Sequence, residues 1–107
     1  MSNYKRISTQ QAKTLLDDNA ATLVDIRDQQ SFLTSRIDTA IHLHNDNLDS
    51  FIAQAPLDKP LIVYCYHGNS SQGAGQFLVE KSFSEVYSMD GGFEEWRTLY
   101  ATITGPV

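Results

Sequence analysis

The stretch Pro60-Leu61-Ile62-Val63-Tyr64-Cys65-Tyr66-His67-Gly68-Asn69-Ser70-Ser71 decides how the rest of the chain is read. Pro60 restarts the chain, and Leu61 to Cys65 form an unbroken apolar run. A run that is apolar on both alternating faces belongs to a strand covered on both sides, as in parallel sheets. Turn-forming residues follow at once, and the spacing predicts a helix from Ser71 to Lys81 with Ala74, Phe77 and Leu78 inward. A strand feeding a helix through a short loop is the unit from which α/β folds are built.

Working outward toward the N-terminus, Leu23-Val24-Asp25-Ile26 reads as a second buried strand. Asp28 caps a short helix through Ser31 to Ser35, and Ile41 to Leu43 form another brief strand. Asn45 or Asp46 caps a helix carrying Leu48, Phe51 and Ile52 on one side. Tyr4 to Ile7 opens the chain as a short strand. Ser8 then caps a helix with Ala12, Leu15 and Leu16 on its apolar face. Gln11 completes a capping box with Ser8, and Ile7 and Ala12 are placed as a hydrophobic staple. Toward the C-terminus, Glu85 to Met89 is the last strand and Phe93 to Tyr100 the last helix. Five strands alternating with helices predict an α/β three-layer sandwich, its sheet mostly parallel with helices on both faces. Ligands of such sheets bind beyond the carboxyl ends of the strands. Three ends matter here: Asp25-Ile26-Arg27, Cys65-Tyr66-His67 and Asp90-Gly91-Gly92.

Length and composition agree with one folded unit over residues 1–107. With 41% hydrophobic and 20% charged residues, nothing suggests disorder. The net charge of −5 and the absence of a Lys/Arg run argue against nucleic acid as a partner. The first residues are too polar for a secretory segment, and Leu61–Cys65 is too short to cross a bilayer. One cysteine forms no intramolecular disulfide, which fits the reducing cytoplasm.

A lone cysteine is most often a small buried hydrophobe. Here the context reverses that reading. Cys65 ends a buried strand and begins a loop that leads into a helix N-terminus, and helix N-termini lower thiol pKa. Successive N–H groups of such a turn point inward as an anion-binding nest, and the helix dipole adds to them. Gly68 permits positive φ, Asn69 suits a left-handed turn, and Ser70 and Ser71 supply hydroxyls and a helix cap. No carboxylate in the loop opposes a thiolate.

The loop Cys65-Tyr66-His67-Gly68-Asn69-Ser70-Ser71 resembles the active-site loop of rhodanese-type sulfurtransferases. Val24-Asp25-Ile26-Arg27-Asp28 resembles their upstream VDVR element. Asp90-Gly91-Gly92-Phe93-Glu94-Glu95-Trp96 resembles their downstream GG-x-x-x-W element, so the likeness spans roughly Tyr4 to Tyr100. One departure is Ser35-Arg36-Ile37, where the family usually has Gly-His-Ile.

The resemblance implies a rhodanese-like fold and a two-step, ping-pong sulfur transfer from thiosulfate, with a persulfide on Cys65 as the covalent intermediate and no other cofactor. Cyanide or a thiol takes the sulfur; a thioredoxin-like dithiol protein is the expected cellular acceptor. The backbone of Tyr66, His67, Gly68, Asn69, Ser70 and Ser71 is expected to cradle the persulfide. Monomer and homodimer both remain open, with no membrane partner.

The remaining residues read as follows. Asp25 fixes its turn by bonding to backbone or pairing with a cation, whereas Arg27 either lends positive potential to the site mouth or serves structure. His67 reads as a solvated loop residue, because an ionised thiol needs no general base. Tyr66 reads as an apolar wall, and Trp96, Phe77 and Phe93 as packing residues. Gly91-Gly92 permits a tight strand-to-helix turn. His42, His44, His67 and Cys65 lack the spacing of a zinc site, so no metal is expected. Cysteine phosphatases of related fold need Cys-x5-Arg, and that position is Ser71. A docking module usually lacks the nucleophile, which is present here.

Overall fold

The computed structural model describes residues 3–106. Ten elements follow one another in strict alternation: β1 (Lys5–Ile7), α1 (Thr9–Asp17), β2 (Thr22–Asp25), α2 (Gln29–Thr34), β3 (Ile41–His42), α3 (Leu48–Gln54), β4 (Leu61–Tyr64), α4 (Ser70–Val79), β5 (Val86–Met89) and α5 (Gly92–Leu99). The strands make one sheet in the order β1-β5-β4-β2-β3. Every pairing is parallel, where the sequence predicts a mostly parallel sheet. No helix among the described residues is long and apolar enough to cross a membrane.

The apolar run at 61–64 sits in the middle of the sheet because both its faces are covered. Alternate residues of a strand point to opposite sides. Leu61 and Val63 therefore join one core with Val24, Leu78, Phe83 and Val86, against which α3 and α4 pack. Ile62 and Tyr64 join the other with Leu23, Phe32, Met89, Phe93 and Trp96, beneath α1, α2 and α5. All four residues of β4 are fully buried. Tyr64 is the polar exception in that strand, and its hydroxyl accepts from the Ile37 N–H at 3.2 Å.

At α1 the capping box forms as read: Ser8 Oγ accepts from the Gln11 N–H at 3.1 Å, and Gln11 Oε1 accepts from the Ser8 N–H at 2.9 Å. Ile7 and Ala12 meet in the same core. Asp28 caps α2, accepting from the Ser31 N–H at 3.0 Å.

Two expectations are corrected. The N-cap of α3 is Asn47, not Asn45 or Asp46. Its side chain ties the preceding loop instead, accepting from the His44 N–H at 2.8 Å and donating to the His42 carbonyl at 2.7 Å. Phe77 is 40% exposed rather than inward. The face of α4 that meets the sheet is Ser71, Gly75 and Leu78. Phe77 lies to one side of that face, on which Gly75 lets the helix approach Tyr4 closely.

Candidate active site

Cys65 follows the last residue of β4 directly, so the rigid centre of the sheet fixes where its side chain begins. The chain then turns through 66–69 into α4, whose N-cap is Asn69. Gly68 makes the turn at φ +91°, and a Cβ there would sit 3.1 Å from Gly91 N and 3.2 Å from the Met89 carbonyl. Asn69, expected in the left-handed region, is instead right-handed at φ −91°, because Gly68 has already absorbed the reversal.

The turn aims donors at the sulfur. The Gly68 and Ser71 N–H groups each lie 3.3 Å from Cys65 Sγ. Ser71 Oγ lies 3.4 Å away and is itself 2.7 Å from Ser88 Oγ on β5. Cys65 is only 5% exposed. Burial pushes the thiol's pKa up, but the Ser71 hydroxyl and the N–H groups of Ser71, Gly68 and His67 outweigh it. The net result is a pKa below that of an ordinary thiol.

A second clamp holds the loop from behind. The N-terminus of α5 donates from Phe93 N to the Cys65 carbonyl at 2.8 Å and from Glu94 N to the Tyr66 carbonyl at 3.0 Å. With those carbonyls drawn toward α5, the amides that follow are left free to turn toward the sulfur. Gly92 is what lets the two backbones meet. At φ +61°, a Cβ on it would fall 2.4 Å from the Tyr66 carbonyl oxygen. The Gly91-Gly92 pair therefore does more than make a tight turn.

The neighbouring strand end handles its charge differently. Asp25 and Arg27 form a buried pair, Nη2 to Oδ2 at 2.7 Å, with side chains 0% and 3% exposed. Asp25 also accepts from the Arg27 N–H at 2.8 Å, so both structural roles expected of it are filled. Arg27 Nη2 continues to the Ser35 carbonyl at 2.7 Å, and its guanidinium lies 4.1 Å from the Phe93 ring centre. Arg27 is thus turned inward and paired, which is the structural one of the two readings left open for it, and not a free positive charge at the site mouth.

The other loop residues face water. Tyr66 is not an apolar wall: it is 37% exposed, and its hydroxyl donates to Asp28 Oδ1 at 2.5 Å. His67, Asn69 and Ser70 are exposed, as the solvated reading of His67 requires. His42 Nε2 donates to the Arg27 carbonyl at 2.6 Å, and His44 Nδ1 accepts from the Asp46 N–H at 3.3 Å. No group of three or more His, Cys, Asp or Glu among the described residues is arranged to hold a metal.

A cleft of about 500 Å³ runs beside the site between the ends of β2 and β3 and helix α4, lined in part by His42, His44, Ala74 and Phe77. It does not reach Cys65.

Ser88 is a buried polar contact to the loop that the sequence reading passed over. The available signal was a serine inside an otherwise buried strand.

A sulfur seated among convergent N–H groups, at the carboxyl end of a parallel sheet, defines an α/β protein built around a cysteine anion cradle. The Rhodanese-like domain model matches residues 8–99, and the chain belongs to that family. It is 53% identical over 100 residues to the thiosulfate sulfurtransferase GlpE of Pseudomonas savastanoi pv. phaseolicola, covering 94% of this chain and 93% of that one. It is 56% identical over 104 residues to the protein of the same name from Ectopseudomonas mendocina, covering 97% and 94%. Among solved structures, the rhodanese-related protein of Thermoplasma volcanium superposes with a TM-score of 0.79 at 25% identity, covering 94% of this chain and 98% of that one. The Alr3790 protein of Anabaena superposes at 0.83 and 22% identity, covering 94% of each, and bears on the fold alone.

Proposed function

We propose that this protein is a thiosulfate sulfurtransferase that carries sulfur as a persulfide on Cys65. The observation that carries the reading is the pair of N–H groups aimed at Cys65 Sγ, with the Ser71 hydroxyl beside them and no side-chain cation. The name borne by relatives at 53% and 56% identity over nearly the whole chain supports the activity.

The first step is attack by the Cys65 thiolate on the outer sulfur of thiosulfate. The new S–S bond forms as the old one breaks, and sulfite leaves with the bonding pair. The terminal sulfur of the resulting persulfide carries negative charge, and preorganised N–H groups are worth most where such charge collects in a water-poor site. In the second step the carbon of cyanide, or a thiolate, attacks that terminal sulfur, and the Cys65 thiolate departs as it began. A single cysteine leaves no internal thiol to discharge the sulfur, so the acceptor comes from outside. A dithiol protein of the thioredoxin kind suits that role, in a cytoplasmic setting and with no cofactor beyond the persulfide.

Intact mass tests the reading. Thiosulfate should add one sulfur, roughly 32 Da, to the wild type and nothing to Cys65→Ser, and cyanide should then remove it as thiocyanate. A wild-type protein with a free thiol that gains no mass would overturn the assignment of thiosulfate as donor.

A further inference from the structure

Ser88 lies on β5, opposite the start of α4, and is fully buried. Its hydroxyl has one hydrogen-bond partner among the described residues, Ser71 Oγ at 2.7 Å. Ser71 is also fully buried and reaches Cys65 Sγ at 3.4 Å. Three atoms therefore stand in a row, Ser88 Oγ, Ser71 Oγ and Cys65 Sγ, separated by two gaps.

Counting hydrogens gives the row a direction. Each serine hydroxyl has one hydrogen to donate, and each gap holds one. With the sulfur ionised, Ser88 donates to Ser71 and Ser71 donates to the sulfur, so both hydrogens are used. With the sulfur protonated there are three hydrogens for two gaps. When the thiol donates to Ser71 Oγ, Ser71 donates to Ser88 and the buried Ser88 hydrogen is left with no acceptor in the row. The ionised row is also the better polarised one, since a hydroxyl that accepts a hydrogen bond donates more strongly to a charge.

We propose that Ser88 is a positioning residue for the nucleophile: its hydroxyl donates to Ser71 Oγ and so aims the single Ser71 hydrogen at the Cys65 sulfur. Ser88 touches neither the sulfur nor any substrate, and acts only through Ser71. The inference rests on Cys65 being the nucleophile and deepens that reading by adding a residue from a different strand. The titratable side chains around the loop are Tyr66 and His67 on it, Asp28 bonded to Tyr66, the Asp25–Arg27 pair beside it, and Asp90, Glu94 and Glu95 at the β5–α5 turn. None of these side chains is hydrogen-bonded to Cys65, Ser71 or Ser88.

The test is the pH dependence of iodoacetamide alkylation, which reads Cys65 alone because the chain has one cysteine. Below the midpoint of the profile, Ser88→Ala should slow alkylation about threefold and Ser71→Ala more, with the alkaline plateau little changed. The double variant should match Ser71→Ala, because removing the relay leaves Ser88 nothing to act through. Ser88→Thr keeps the hydroxyl and should restore the wild-type profile. An Ala profile that overlies the wild type, a threefold loss that persists in the Ser71→Ala background, or a Thr variant that behaves like Ala would each overturn the proposal. Alkylation needs no sulfur donor, so a failure here leaves the sulfur-transfer assignment standing, and a failure of sulfur loading leaves this result intact.

Discussion

Strands β2 and β4 lie side by side, and each runs out into a residue with a charge to manage. The two ends solve the problem in opposite ways. At β2 the Arg27 guanidinium meets a full counter-ion, Asp25, and the pair is sealed from water under Phe93. At β4 the Cys65 sulfur meets only dipoles: N–H groups and one hydroxyl. A counter-ion cancels a charge and leaves nothing over for a ligand. Dipoles lower the energy of an anion without neutralising it, so the sulfur keeps its nucleophilicity and the cradle stays usable by whatever anion replaces it. The two ends are also joined, since the Phe93 ring covers Arg27 while the Phe93 N–H holds the Cys65 carbonyl.

The sharpest way to break this comparison is to leave Arg27 without its partner. Asp25→Ala should cost about 3–5 kcal/mol of stability in urea unfolding, the usual penalty for orphaning one member of a buried ion pair. A loss below about 1 kcal/mol would mean that the guanidinium rehydrates easily, as a rim residue would.

Next in size is Gly92→Ala. Its Cβ collides with the Tyr66 carbonyl and pushes the α5 clamp off the loop. Sulfur loading should fall on the order of a hundredfold, the cost of an ångström-scale misplacement of a reacting group. Ser70→Ala, at an exposed loop position, is the control and should load sulfur at close to the wild-type rate.

The pH profile sharpens the dipole side. Because the thiol's pKa is lowered, the thiolate fraction, and with it the alkylation rate, should rise with pH through a midpoint below the 9.0 of an ordinary thiol and level off above it. A midpoint above that value would mean burial outweighs the donors.

The smallest effect concerns the exposed link between the two ends. The Tyr66 hydroxyl, with the Ser31 N–H and hydroxyl, holds the Asp28 carboxyl at about 2. Tyr66→Phe should let it rise toward 3.8, visible in an NMR titration, with little change in sulfur transfer.

Much of this was legible in the chain itself. The apolar run at 61–64 identified the central strand because only a doubly covered strand tolerates it. The Ser8/Gln11 box set the start of α1, and the loop after Cys65 was readable because helix N-terminus chemistry is local. What stayed hidden depends on contacts between distant segments. A charged residue after a strand looks the same whether it turns outward or inward, and Arg27 turns inward because Asp25, Ser35 and Phe93 converge on it. Gly92 read as turn-making, and only the approach of the Tyr66 backbone reveals its second task. Ser88 was a polar residue in a buried strand whose partner belongs to another element. Asn69 looked like the left-handed residue because asparagine tolerates that region, yet a neighbouring glycine takes it at lower cost.

The sheet order also governs when this site comes into being during synthesis. β1 pairs with β5, Lys5 beside Tyr87, so the strand made first waits for the strand made last. The cradle waits too, because Ser88, Phe93 and Glu94 leave the ribosome well after Cys65. Until then Ser71 lacks its Ser88 partner and the loop lacks all of the clamp behind it. The loop that holds the thiol is therefore fully braced only when the closing segment of the fold is in place.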